Sequence, residues 1–305
     1  MKLDDRLPRP AVGLACAVTA AERGHEVTLY EAAPSIGGQL NLARAVPGKE
    51  EFHELVRYFE ARVAQEGVQL RLGQRPAAAE LAAAKFDHIV VATGVRPRTP
   101  QIEGLGHPKV IGYADLLSGR KQAGRRVAII GAGGIGFDVA EYLLHELAPK
   151  GADHGAAEGV SAFFSEWGVD TAPAAPGGLK PPQAPQPLRS VTLLQRKPEK
   201  PGCTLGLSTG WALRARLEQR GLQTLSGCTY ERIDDAGLHL RVGTEARVLE
   251  VDTVVICAGQ ESETTLADAL RSQGLAPQVI GGAELAAELD ALRAIDQGTR
   301  LAMSF

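Results

Sequence analysis

RRVAIIGAGGIGFDVAEYLL (125–144) decides the fold. VAII is a short, unbroken apolar run, the mark of a strand buried on both faces. The residues after it, FDVAEYLL, place their apolar side chains at helical spacing. Between strand and helix stand Gly131, Gly133 and Gly136. A lone G-x-G-x-x-G is weak evidence, but one lodged between a buried strand and a helix meets the structural condition for a dinucleotide turn. The first glycine permits the tight turn, the second lets backbone amides approach a pyrophosphate, and the third packs helix on strand. The helix N-terminus then offers amides and a positive dipole end to the phosphates. The plain alternative is a glycine-rich turn that binds nothing.

The next strand of such a unit normally ends in an acid that takes the ribose hydroxyls. LRSVTLLQRK (188–197) ends instead in Gln195, followed by Arg196 and Lys197, with Lys200 close behind. Cations in place of the carboxylate suit the extra 2′-phosphate of NADP, which a guanidinium binds in bidentate fashion. A solvated basic turn is the other reading. Further on, LSTGWALRARLEQRG (207–221) has helical spacing and VDTVVICAG (251–259) is another apolar strand.

Upstream lies a second, weaker copy of the pattern. AVGLACAVTAAERG (11–24) predicts a helix that stops at Gly24, and VTLYE (27–31) a strand ending in Glu31. Glu31 reads either as a ribose ligand or as an exposed strand-end carboxylate. RLPRPAVG stands where a glycine fingerprint belongs, with Gly13 its one plausible survivor. A Gly37–Gly38 turn, a helix around 49–66 and the strand FDHIVVATG (86–94) follow. The tail holds a strand at VIGGA (279–283) and a helix at AAELDALRAIDQGTRLA (286–302). Gly94 and Gly259, after VVAT and VICA, mark either close approach of a cofactor or simple turns. Strands alternating with helices predict parallel sheets covered on both faces. Residues 171–188 carry six of the 18 prolines and predict an irregular surface insertion.

Composition bounds the function. The 305 residues suit about two domains. A net charge of −3 leaves no basic footprint for nucleic acid or anionic membrane. No apolar run reaches the ~18 residues of a membrane span. MKLDDRLPRP lacks the apolar core of a signal peptide, so a cytoplasmic location is expected. Cys16, Cys203, Cys228 and Cys257 form no CxxC and no metal-ligand spacing, which argues against a dithiol centre. Cys257, inside an apolar strand, predicts a buried, inert thiol. Neither HExxH nor GxSxG occurs. Trp167 and Trp211 read as core or interface residues.

Several segments, in one order, carry a resemblance: GHEVTLYEAAPSIGGQLNLARAVPGKEEF, FDHIVVATGVRPRTP, VAIIGAGGIGFDVAEYLL, LLQRKPEKPG, VVICAGQE and AAELDALRAIDQGTRLA. Together they resemble the C-terminal flavin and pyridine-nucleotide part of bacterial NADPH-dependent 2,4-dienoyl-CoA reductase, over about residues 11–302. The resemblance implies an α/β fold with two Rossmann-like domains of the pyridine nucleotide-disulfide reductase type and parallel sheets. In it the NADP domain (120–262) is inserted into an FAD domain built from 1–119 and 263–305. It also implies FAD and NADPH as cofactors. FMN and an iron–sulfur cluster are expected only in the family's N-terminal barrel, which has no counterpart here. Hydride passes from NADPH to FAD, and electrons then go to a partner, either a separate FMN/iron–sulfur barrel subunit or a carrier.

Carried over by position, the resemblance implies FAD contacts at Glu31, Gly38 and Gln39 of the GGQ turn, Lys49, and the backbone near Pro76. Val12 and Gly13 fall at the family's pyrophosphate turn, and Gly282 faces the FAD chain. Leu289, Asp290 and Ala291 bring a helix N-terminus toward the flavin ring, where amides stabilise reduced-flavin charge. Arg196 and Lys197 match the NADP pair. No catalytic side chain and no metal ligand is expected. Residues 1–10 depart from the family's first strand and glycine turn, and Leu207 and Leu213 replace a family Lys and His. A remnant that binds NADPH without FAD is the rival expectation, with a standalone NADPH:carrier reductase as a third.

Overall fold

The computed structural model describes residues 11–145, 156–174, 176–183, 187–203, 205–206, 208–287 and 291–305. The first part runs α1 (Ala11–Glu22), β1 (Thr28–Glu31), α2 (Leu40–Ala43), α3 (Phe52–Gln65), β2 (Gln69–Leu72), α4 (Ala78–Ala83), β3 (Val90–Val91) and β4 (Val95–Pro97). The middle holds β5 (Val110–Gly112), α5 (Tyr113–Leu117), β6 (Arg126–Ile130), α6 (Gly134–Leu144), α7 (Ala156–Trp167), β7 (Ser190–Leu194), α8 (Gly210–Gln219) and β8 (Gln223–Leu225). Then come β9 (Cys228–Asp234), β10 (Gly237–Val242), β11 (Glu245–Leu249), β12 (Thr253–Ile256) and β13 (Gln260–Ser262). The chain closes with α9 (Thr265–Ser272), β14 (Gln278–Val279) and α10 (Ala291–Ala302).

The middle part is a five-stranded sheet in the order β5-β12-β6-β7-β8, parallel throughout. Continuous apolar runs put Val127, Ala128, Ile129 and Ile130 of β6 and all four residues of β12 in the core. Helices pack one face through Phe137, Val139, Leu143 and Leu217. The other face packs against the β9–β11 meander through Ile233, Leu238 and Leu240. This antiparallel layer was not expected from an all-parallel reading. Its signal is the alternation of Leu238, Leu240 and Val242 with polar residues, after a turn closed by Gly237 (φ +136°).

In the first part, β1 pairs in parallel with β2 and β3 with β14, while β4 and β13 form a small antiparallel link. Helix α3 buries Phe52, Val56, Phe59 and Val63, spaced 4, 3 and 4 residues apart, against α1. Helix α10 meets α1 through small residues: a Cβ on Gly298 would stand 2.2 Å from the Val12 carbonyl oxygen. The two halves are tied by an ion pair between Lys49 Nζ and Asp138 of α6 (2.7 Å).

Other details differ from the sequence reading. The strand predicted over 86–94 shortens to Val90–Val91, and of the helix predicted over 286–302 residues 286–287 are not helical while Ala291–Ala302 are. Among its described residues the proline-rich stretch contains a turn of 3₁₀ helix at Pro176–Gly178. Trp211 is 59% exposed, its Nε1–H donating to the Ser208 carbonyl (3.1 Å), so it is not a core residue. No helix among the described residues is long and apolar enough to cross a membrane.

Candidate functional site

The glycine turn after β6 keeps the three roles apart in space. Gly131 takes φ +114°, and a Cβ there would meet the Cys257 carbonyl oxygen at 2.1 Å, at the end of β12. At Gly133 a Cβ would find nothing within 4 Å, so this position borders open space at the start of α6. At Gly136 a Cβ would fall 1.9 Å from the Gly131 oxygen and 3.3 Å from Leu193 of β7. One glycine makes the turn, one leaves room above the helix N-terminus, and one lets helix and strand touch. That cradle fits a dinucleotide pyrophosphate.

The basic loop follows β7 directly. Arg196 and Lys197 are exposed, and the loop is shaped by Gln195, whose side-chain amide donates to the carbonyls of Lys197 (3.1 Å) and Glu199. The residue that replaces the usual carboxylate therefore folds the turn that presents the two cations. Leu213 packs half-buried against the core of this unit. Leu207 lies outside the described residues.

Six of the positions expected around FAD line one cavity of about 700 Å³: Gly13, Glu31, Gly38, Gln39, Pro76 and Gly282. Glu31 ends β1, and its Oε1 accepts the Ala33 N–H (2.8 Å), which holds the carboxylate at the mouth. The Gly37–Gly38 turn, both with positive φ, opens α2 and carries Gln39. Gly94 borders the same cavity with φ +74°, and a Cβ there would meet nothing within 4 Å; a Cβ on Gly259 would instead stand 3.7 Å from the Arg98 guanidinium. Among the described residues the acid, the GGQ turn and the Gly282 corner fit an elongated nucleotide.

The remaining expected positions are placed differently. Val12 is fully buried, with Gly281 and Gly298 of the closing segment packed on it. Lys49 is engaged with Asp138 and does not border the cavity. Ala291 is the first residue of α10, while Leu289 and Asp290 lie outside the described residues.

Sequence reasoning passed over Tyr113. It is 2% exposed, its hydroxyl accepts the Gln260 side-chain amide (2.8 Å), and the Gln39 side chain also bonds it. Burial pushes the phenol up from its ordinary value, so it is a neutral link between the cavity turn and β13. A lone tyrosine on a one-turn helix carries no pattern that would single it out. Cys16, Cys228 and Cys257 are buried thiols and Cys203 is exposed; burial pushes Cys16 up to about 11 and Cys257 further up, far from thiolate reactivity at neutral pH.

Residues 11–288 match the family model described as pyridine nucleotide-disulphide oxidoreductase. The chain is 30% identical over 287 residues to a metal reductase of Desulforamulus reducens, covering 90% of this chain and 40% of that protein. It is 34% identical over 165 residues to an NADH oxidase of Thermoanaerobacter brockii, covering 53% of this chain and 24% of the relative. The chain thus spans less than half the length of these curated relatives. Among solved structures, a 2-naphthoyl-CoA reductase matches with a TM-score of 0.76 at 24% identity, over 99% of this chain and 40% of that one. Thioredoxin reductase of T. acidophilum matches at 0.60 and 16% identity, over 96% of this chain and 94% of its own.

Proposed function

The chain belongs to the pyridine nucleotide-disulphide oxidoreductase family, and from that premise we propose that it is an NADPH-dependent FAD module that passes electrons to a partner. A flavoprotein oxidoreductase with parallel Rossmann-type sheets is the common ground of the family and the fold. The observation that carries the finer reading is the basic Arg196–Lys197 loop, set at the end of β7 beside a glycine turn with open space at Gly133. We read 120–262 as the NADP unit inserted between the FAD segments 1–119 and 263–305.

Bound FAD would supply a two-electron acceptor for hydride and a donor for the next carrier. The chain's residues then have positioning work. Amides at 131–136 and the α6 N-terminus hold the pyrophosphate, and Arg196 grips the 2′-phosphate. Glu31 accepts the ribose hydroxyls of the second nucleotide at the cavity mouth. Gly38, Gln39 and Gly282 shape the wall along the flavin, and Tyr113 fixes Gln39. Holding the two rings in reach of each other is the catalytic contribution, and no side chain need move a proton. The resemblance to 2,4-dienoyl-CoA reductase supports an FMN/iron–sulfur subunit or carrier as acceptor. The family's range, with relatives named metal reductase and NADH oxidase, fits an input module whose acceptor varies.

The test is a titration of the purified chain with FAD, followed by anaerobic NADPH or NADH. Saturable flavin binding, bleached at least about tenfold faster by NADPH than by NADH, is expected. Equal rates with the two nucleotides would refute the NADP assignment. A protein that never acquires a flavin band while NADPH still protects it thermally would refute the FAD module.

A further inference from the structure

Gln195 stands where a nucleotide-binding strand usually ends in an acid. Resting on the assignment of the following loop to NADPH, we propose that Gln195 decides the coenzyme preference without touching the coenzyme. It is a positioning residue: its side chain folds the Arg196–Lys197 loop into a ready-made site for a 2′-phosphate.

The bonds fix which end of the amide works. Gln195 Nε2 donates to the carbonyl oxygens of both Lys197 (3.1 Å) and Glu199. Carbonyls only accept, so the two N–H groups must face the loop, and a carboxylate at this position would be repelled by the same two oxygens. The Lys197 carbonyl also accepts the Gly227 N–H (2.9 Å). The backbone of Gln195 does not depend on its side chain: its N–H donates to the Leu225 carbonyl (2.9 Å), and its own carbonyl accepts the Cys228 N–H (3.0 Å). A side-chain change therefore leaves the strand end in place and frees the loop alone.

The far end of the loop is anchored independently. The Gly202 carbonyl accepts Arg214 Nη1 of α8 (2.7 Å). A Cβ on Gly202 would stand 2.7 Å from Cζ of Phe137, the residue after Gly136 of the glycine turn. Pro198 and Pro201 fix φ between the two anchors. With the rear seated on α6 and α8, Gln195 is the side-chain clasp of the near end.

The charges show what the clasp serves. Arg196 and Lys197 are exposed, and among the described residues neither has an acidic partner, whereas Lys200 pairs with Glu218 (3.6 Å). Two unpaired cations on a backbone already bent to shape meet a phosphate without the ordering cost of a loose turn. An unclasped loop must be ordered by the ligand itself, and the loss falls on the phosphate contact. Restoring an acid at the strand end should therefore not restore the usual ribose site: Gln195→Glu opens the loop instead.

The probes are 2′,5′-ADP, which carries the 2′-phosphate, and 5′-AMP, which lacks it, titrated calorimetrically into the full chain without FAD. The wild-type chain should bind 2′,5′-ADP at least about tenfold more tightly. Gln195→Met has similar length but no donors, and Gln195→Asn has an amide one carbon short of the loop carbonyls. Each should cut that preference to about twofold or less, with 5′-AMP binding and the thermal midpoint as in wild type and hydrogen exchange faster over 196–203. Gln195→Glu should lose the preference and gain nothing for 5′-AMP. If the Met and Asn variants keep the wild-type ratio while Arg196→Ala loses it, the clasp is overturned and the NADPH assignment stands. Tighter 5′-AMP binding by Gln195→Glu would overturn it too, since the acid would then act on the ribose directly. Equal binding of both probes by the wild type would overturn the NADPH assignment, and the clasp with it.

Discussion

Gly133 and Gly136 sit three residues apart and should respond to substitution in opposite ways. Gly136→Ala drives a methyl into the Gly131 carbonyl at 1.9 Å, so α6 must lift from β6. A loss of about 1–3 kcal/mol in urea unfolding is expected, together with weakened NADPH binding. Gly133→Val adds its side chain to open space at φ −85°, ψ −173°, an extended conformation that suits valine. Unfolding should change by less than about 1 kcal/mol while calorimetry shows NADPH binding lost. Stability lost in both would contradict the division of roles. Arg196→Ala and Lys197→Ala should each raise the KM for NADPH about tenfold and leave that for NADH unchanged, as steady-state dye reduction would show. These expectations could be drawn from the sequence because the glycines stand between a buried strand and a helix and the cations directly follow a strand. Tyr113 was not, because its work depends on Gln39 and Gln260, which lie 74 and 147 positions away and meet it only in the fold.

At the scale of elements, β6 and β12 are clipped at their start by Asp252. Its carboxylate accepts the Arg126 backbone N–H (2.9 Å) and pairs with the guanidinium (2.8 Å). The side-chain and backbone bonds from Arg126 hold the acid down at about 2, against 3.8 for an ordinary aspartate. A depressed folded-state value means this contribution is present above about pH 4 and is lost as pH falls toward 2. Asp252→Asn should therefore flatten the pH dependence of the urea midpoint in that window and leave its shape near neutrality unchanged. Where α10 crosses α1, Gly298→Leu would force the helices apart at the Val12 carbonyl. The thermal midpoint should fall by several degrees, as calorimetry would show. The helices α3 and α6, with one dominant period, and the strand β12, inside an unbroken apolar run, could be read in advance. The β9–β11 meander hid behind a charged, half-exposed sequence, and β3 was overestimated because apolar residues continue past the point where pairing stops.

For the whole molecule, the two-part architecture follows from repetition of one strand–helix plan, which the sequence showed twice at unequal strength. The stronger copy was legible to the level of individual glycines. The weaker copy was legible in its acid and its GGQ turn, which the fold gathers around one cavity, while Lys49 turned out to bridge the halves through Asp138. A charge pair linking two units has no local signature, since its members are 89 positions apart.

The strands β1 and β3, each paired with one other strand among the described residues, also bear on how the protein behaves in a crowded solution. Open strand edges that face outward let molecules stack edge to edge into fibres. Here residues of both strands line one cavity. A neighbouring sheet cannot enter such a space. Colloidal loss on concentration should therefore stop at small assemblies instead of running on to fibrils, and light scattering during concentration would register the plateau.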